Sequence, residues 1–221
     1  MNRMVFDCET CMTDRLPNGQ LDVENGQAYD LGGQVVNDGG IILDKLNLIN
    51  GDVFYGMPKA MSDAYYKDKF PRYIEEIKRG ERQVVDTWKM WKIFNQMCQD
   101  YHVEEVVAHN IRFDIAVLNA TMRYQTKSKK RFFLPYGIKT ADTMRMARKV
   151  ICKTEDYIKF CKENNYMTAH ETPRPKATAE VIWRYLSNNN DFEEAHTGLA
   201  DVEIETEILM ECLRRGYTEL E

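Results

Sequence analysis

Residues 3–11, RMVFDCETC, describe an apolar strand that carries two carboxylates. Strand side chains alternate, so Val5, Asp7 and Glu9 share one face, neighbours about 6.6 Å apart, while Met4, Phe6 and Cys8 share the other. Two like charges that close repel, and burying them unpaired is costly. A bound cation would remove the conflict. An exposed strand with a solvated acidic face is the commoner setting for Asp-x-Glu, so the pair gains meaning only if further carboxylates join it.

A chain of 221 residues, 43% hydrophobic, can bury a sizeable core, and one α/β domain is the simplest expectation. It has no apolar run of about 18 residues, which excludes a membrane helix. Asp7 and Glu9 interrupt any signal-peptide core, and the expected location is cytoplasmic. The six cysteines are scattered and fit reduced thiols. Cys8 and Cys11 form a C-x-x-C without the second ligand pair zinc needs, so Cys8 reads as a core residue and Cys11 as lying just past the strand. A net charge of −5 argues against coating nucleic acid by bulk charge, though not against gripping one strand end. Neither a Walker loop nor G-x-G-x-x-G is present.

After a turn-rich stretch at 13–27, a hairpin is expected with strands near 28–36 and 41–49 joined at NDGG. Residues 57–82 read as a helical, aromatic and charged added segment. Trp88, Trp91 and Cys98 mark a helix over 86–100, the tryptophans packing in the core. A strand at 103–109 leads into a helix marked by Phe113, Val117 and Ala120, which ends in the basic loop TKSKKR. A strand at 138–142 runs into another helix, and further helices are expected at 154–165, 177–187 and 198–215. Strands first and helices later, alternating in the middle, imply a mixed sheet with helices on its faces.

Two segments share the spacing His-x4-Asp: HNIRFD, from His109 to Asp114, and HTGLAD, from His196 to Asp201. His109 ends a strand and Asp114 falls in the first turn of the next helix. In the last helix Leu199, Val202, Thr206, Leu209 and Leu213 form the packing stripe, with Asp201 on its flank. Glu205, one turn on, could share the site of Asp201, but a solvated acidic face is the favoured setting for Glu203, Glu205 and Glu207.

FDCET, HNIRFD and HTGLADVE, in this order and at these separations, resemble the three exonuclease motifs of the DEDDh family. This is the DnaQ-like group that includes the proofreading ε subunit of DNA polymerase III, ribonuclease T and oligoribonuclease. TADTMRMAR resembles the strand-to-helix segment before the third motif. The resemblance implies an RNase H-like fold: an α/β mixed sheet of three antiparallel strands, then parallel strands, flanked by helices. It makes Asp7, Glu9, Asp114 and Asp201 the ligands of two Mg²⁺ or Mn²⁺ ions and His196 the general base. His109 would fix the turn of its motif by a hydrogen bond. Thr10-Cys11-Met12 stands where the family often has Thr-Thr-Gly, and Gly198 stands in place of an alanine.

The implied activity is 3′-to-5′ hydrolysis of single-stranded DNA or RNA ends with release of nucleoside 5′-monophosphates. Two metal ions suit phosphodiester hydrolysis because they activate water and clamp the phosphate. Thr10 and Asn110 are the candidate contacts to the terminal nucleotide. Lys127, Lys129, Lys130 and Arg131 are candidates for holding the upstream strand, in competition with the aromatic and basic residues of 63–79, Tyr65 and Tyr66 among them. A catalytically silent module that binds a strand end or a polymerase is the alternative. A homodimer or a polymerase partner is compatible with either reading.

Overall fold

The computed structural model describes residues 1–129 and 131–218. Strands β1 (Asn2–Cys11), β2 (Gln27–Asn37) and β3 (Ile42–Asn50) form a consecutive antiparallel run. The β2–β3 turn closes with Gly40 N–H donating to the Asn37 carbonyl at 2.9 Å. β4 (Gln83–Val85) pairs parallel to β3 on one edge. β5 (Val103–Ala108) pairs parallel to β1, and β6 (Lys139–Asp142) parallel to β5, giving the order β4-β3-β2-β1-β5-β6. The expected mixed sheet is therefore present. β4 was not expected, since three residues show neither alternation nor a flanking turn signal of their own.

The β3–β4 connection carries α1 (Gly51–Phe54), α2 (Pro58–Ser62), a 3-10 turn at Lys67–Lys69 and α3 (Phe70–Arg79). Residues 57–82 are thus broken helices rather than one continuous helix. α3 stops at Gly80, whose φ of +74° suits glycine, and Glu81 N–H closes the end on the Glu76 carbonyl. The remaining helices are α4 (Thr87–Asp100), α5 (Ile111–Thr126), α6 (Thr143–Val150), α7 (Glu155–Glu163), α8 (Ala179–Ser187) and α9 (Gly198–Arg214).

The alternation of β1 divides the core as its residues demand. Met4, Phe6 and Cys8 pack with Phe94 of α4 and Leu118 of α5. Val5 joins Val107, Met146 of α6, Tyr157 of α7, Ile182 of α8 and Val202 of α9 on the opposite face. Asp7 and Glu9 lie on that second face, under the start of α9. A third cluster joins Tyr29, Phe54 and Tyr73, so the β3–β4 connection has its own apolar anchor. Trp91 is packed against the first core, whereas Trp88, stacked on it, is 38% exposed.

α9 seats directly on β2 backbone. A Cβ at Gly32 would lie 2.1 Å from the Gly198 carbonyl carbon, and one at Gly198 would lie 2.5 Å from Gly32 N. The neighbours of Gly32 on the same strand face secure the contact. Asp30 Oδ2 accepts the Gly198 N–H at 3.0 Å, and Gln34 bonds the Thr206 hydroxyl. Gly32 is the cross-strand partner of Asp7, and Asp30 that of Glu9, so this docking delivers the first turns of α9 to the acidic face of β1.

Gly32→Ala should force α9 away from the sheet and cost about 2 kcal/mol or more, in the upper range for overpacking. Urea unfolding monitored by circular dichroism measures it, and a stability equal to wild type would contradict the close approach.

Candidate active site

A cavity of about 770 Å³ opens at the end of β1, lined by Asp7 and Glu9 of that strand, Asp201 and Glu205 of α9, and Glu194 and His196 of the loop before α9. Asp114, in the first turn of α5, is buried and accepts the Cys8 thiol at 3.3 Å. Cys8 is thus a core residue with an added duty, since burial pushes its thiol pKa up and keeps the proton available to donate. Three non-glycine residues with left-handed backbone, Met12 (φ 60°), Asn110 (φ 71°) and His196 (φ 52°), also line the cavity. Backbone held there at a cost is a feature of functional sites.

The two histidines have different surroundings. His109 Nε2 donates to the Ala177 carbonyl at 2.7 Å, which leaves Nδ1 to accept from Thr143 Oγ1 at 2.9 Å. Its backbone N–H donates to Glu205 Oε2 at 3.1 Å. Both ring nitrogens are therefore committed to holding β5, α6 and the loop before α8 together. His196 stands half-open in the cavity, its Nδ1 3.9 Å from Glu194 Oε2. Burial lowers the pKa of both rings, so both are neutral at pH 7.

The solvated acidic face expected for Glu205 is corrected here: Glu203 and Glu207 are exposed, but Glu205 is buried within the site. α9 lies against β1 and β2 along one side and against α6 and α8 elsewhere, so its buried arc is wider than the apolar stripe. The spacing of four from Asp201 was the available signal. Glu194 was not foreseen, because it sits in an irregular loop that has no periodicity to place it.

Thr10 and Asn110 both line the cavity. Asn110 N–H donates to Asp142 Oδ1 at 3.1 Å, and the same carboxylate oxygen caps α6 through Met144 N. Lys127, Lys129 and Arg131 are exposed beyond the far end of α5 and do not line the cavity; Lys130 lies outside the described residues. The 13-residue separation of Asp114 from Lys127 corresponds to roughly 20 Å along the helix. Tyr66 lines the cavity and stacks on the His196 ring.

The carboxylates repel one another in a shared low-dielectric site. Burial, then the charge of Glu205, raises the Asp7 pKa well above the usual range. Burial chiefly, then Asp114, does the same for Glu205, and burial with Asp201 for Glu9. Burial moves Asp114 to about 7, Glu194 to about 7 and Asp201 to about 8.

No family model matches the chain, and no curated protein sequence matches it. Similar solved structures do exist. Exonuclease I of E. coli, in a zinc-bound complex with single-stranded DNA, superposes with a TM-score of 0.54 at 10% identity, over 97% of this chain and 41% of that one. Exonuclease I from Methylocaldum szegediense gives 0.52 at 14% identity, over 99% and 41%. Cell-death related nuclease 4 gives 0.51 at 12% identity, over 97% and 64%. The chain shares the RNase H-like fold of these nucleases. It spans 41% of the length of the two exonuclease I chains.

The site fits a divalent cation. Ligand atoms of Glu9, His196 and Asp201 lie within 4.8 Å of one another. Asp201 Oδ1 is buried and, among the described residues, has no hydrogen-bond donor. Carboxylate oxygens are the ligands Mg²⁺ and Mn²⁺ favour.

The raised pKa values set the sign of the pH response without metal. A carboxylate whose folded pKa exceeds its unfolded value near 4 stabilises the fold fully below that value and loses the contribution as pH rises through the folded one. For Asp114, Glu194 and Asp201 that loss runs from about pH 4 upward and is complete once pH has passed their folded values of about 7, 7 and 8. In EDTA the melting temperature should therefore fall between pH 5 and pH 9. Mg²⁺ or Mn²⁺ should flatten the fall, and Glu205→Gln should raise the melting temperature at pH 8 but not at pH 5. Scanning calorimetry across that range is the check; a rising or flat profile in EDTA contradicts the repulsive cluster.

Proposed function

We propose that the chain is a divalent-metal-dependent 3′-to-5′ exonuclease of the DEDDh type, acting on single-stranded nucleic-acid ends. The observation that carries this reading is the gathering of Asp7, Glu9, Asp201 and His196 on the wall of one cavity, with Asp114 buried behind it against Cys8, from three separate parts of the chain. A fold shared with nucleases supports it, one of them crystallised with single-stranded DNA.

Asp7, Glu9, Asp114 and Asp201 would hold two Mg²⁺ or Mn²⁺ ions, which supply charge neutralisation and an activated water when bound. The protein's own contribution centres on His196. Its ring is neutral at pH 7 and open to the cavity, so it can take the proton of the attacking water. The water oxygen bonds to the phosphorus of the terminal phosphodiester, and the bond from phosphorus to the 3′ oxygen breaks. That oxygen takes up a proton from solvent to become the 3′-hydroxyl of the shortened strand, while His196 returns its proton to solvent. The product is a nucleoside 5′-monophosphate. Thr10 and Asn110 line the cavity wall and are assigned to the terminal nucleotide. Lys127, Lys129, Lys130 and Arg131 are assigned to phosphates further upstream, given roughly 20 Å of helix between Lys127 and Asp114.

Labelled DNA and RNA oligonucleotides incubated with Mg²⁺, Mn²⁺ or EDTA test the reading directly. Hydrolysis from the 3′ end that requires metal is expected, and activity undiminished in EDTA would overturn it. Asp7→Ala should abolish turnover while the protein stays folded. His196→Ala should lower kcat by about 10²–10⁴ with little change in KM, the size of a general-base contribution. His109→Ala should instead act mainly on stability, because it removes two hydrogen bonds between buried elements. The reverse pattern for the two histidines would reassign the base.

Neutralising Lys127, Lys129, Lys130 and Arg131 together should raise KM for long oligonucleotides and flatten its salt dependence. A dinucleotide, too short to reach them, should be hydrolysed as before; equal losses on both substrates would place the loop's role in the active site itself.

A further inference from the structure

The imidazole of His196 is gripped by a residue that none of the nuclease motifs contains. Its ring stacks face to face on Tyr66, with centroids 4.2 Å apart and planes 13° from parallel. Tyr66 belongs to the β3–β4 connection, far from His196 in sequence. It also meets Tyr65 at 4.8 Å with the two rings perpendicular, and Tyr65 is exposed. The backbone near His196 is tied to the same connection. Tyr73 Oη donates to the His196 carbonyl at 3.4 Å. Gly198 N–H is held by Asp30, and Asp30 is paired with Arg82 at the end of the connection.

These contacts address a specific problem. His196 sits in an irregular loop in left-handed backbone, and no hydrogen bond orients its ring toward the cavity among those the described residues make. Glu194 Oε2 lies 3.9 Å from Nδ1, and a ring nitrogen lies within 4.8 Å of carboxylate oxygens of Glu9 and Asp201. An imidazole in that setting would sample several rotamers. A flat aromatic face at stacking distance removes those rotations that would break the contact, while leaving both ring nitrogens, which lie in the ring plane, uncovered by the tyrosine. Tyr66 has no partner duty that competes with this one in the core: Phe54, Phe70 and Tyr73 fill the apolar cluster of the connection without it.

We infer that Tyr66 is the positioning residue for His196, holding the imidazole by ring stacking in the orientation from which it serves the reaction. The inference rests on the exonuclease reading for its catalytic half and on the geometry alone for its structural half. It also gives the β3–β4 connection a function: this segment acts as the brace of the catalytic loop. A stacking platform for substrate bases on the face of Tyr66 that meets His196 is disfavoured, because the imidazole already covers it.

The test uses Tyr66→Ala, Tyr66→Leu and Tyr66→Phe in the full chain, with two readouts. In metal-free protein, the His196 ring C–H signals observed by NMR should lie upfield in wild type and Tyr66→Phe, under the ring current of the stacked aromatic. They should move downfield in the other two variants. In the oligonucleotide assay Tyr66→Ala and Tyr66→Leu should lose about 10- to 100-fold in kcat at little-changed KM, the scale of a misplaced catalytic group, and Tyr66→Phe should restore it. Leucine fills the space without a ring, so full activity in Tyr66→Leu would overturn the stacking account even if Tyr66→Ala failed to fold. A loss expressed in KM would overturn it in favour of substrate stacking. Unmoved His196 signals in Tyr66→Leu would remove the stack itself. Wild-type protein without hydrolysis would bring down the exonuclease reading and the catalytic half of the inference, while the NMR signals would still decide the structural half.

Discussion

The seating of α9 on the backbone of β2 is the constraint from which the site follows. Gly32 and Gly198 meet with no room for a side chain on either, and the Asp30 and Gln34 side chains on the same strand face hold the helix in that place. Because Gly32 pairs with Asp7 across the strands, any helix seated there has its first turn beside the acidic face of β1. Asp201 lies one turn after Gly198 and Glu205 two turns after it. A helix held even one side-chain layer further out would leave those carboxylates apart, and the cavity would lose its shared charge.

Two sets of buried charge sit close together on this face and are handled in opposite ways. Buried Asp30, Glu76 and Arg82 form a paired network, with Arg82 bonded to both carboxylates and its guanidinium 4.4 Å from the Tyr73 ring centroid, and the exposed Arg72 adds a bond to Glu76. That network is satisfied within the protein, and breaking one partner of such a pair leaves an uncompensated charge worth about 3–5 kcal/mol. The cluster of Asp7, Glu9, Asp114, Asp201 and Glu205 forms no ion pair with an arginine or lysine among the described residues, and burial pushes each member toward its protonated form. Stability is thus invested in the bracing network and withheld at the site, where the proposed binding of cations would need negative charge left uncommitted.

The β3–β4 connection joins these two sets. Its aromatic residues make their own apolar cluster with Tyr29, and its last arginine reaches back to Asp30, which in turn holds the start of α9. A segment that looks like an addition when taken alone is therefore integral to the placement of α9 and of the loop carrying His196. The same logic separates the two His-x4-Asp segments. His109 has both ring nitrogens bonded inside the protein, so it serves as a strut, while His196 lines the cavity with neither ring nitrogen hydrogen-bonded among the described residues.

Much of the architecture was legible in the sequence because local periodicity decides it. The alternation of residues 3–11 placed Asp7 and Glu9 on one face and Phe6 on the other, and the apolar spacing of α4, α5 and α9 located those helices to within a residue or two. The candidate carboxylates and His196 could be named from motif order, since each lies at a fixed step from a strand end or helix start. β4 escaped because three residues carry no period, and the breaks within 57–82 because charged and aromatic residues suit a helix or a turn equally. The burial of Glu205, the thiol of Cys8 on Asp114 and the Tyr66 ring on His196 are contacts between distant segments. Only tertiary packing decided them, because whether a glutamate is solvated or a tyrosine meets a histidine depends on what covers it, and the covering element lies elsewhere in the chain.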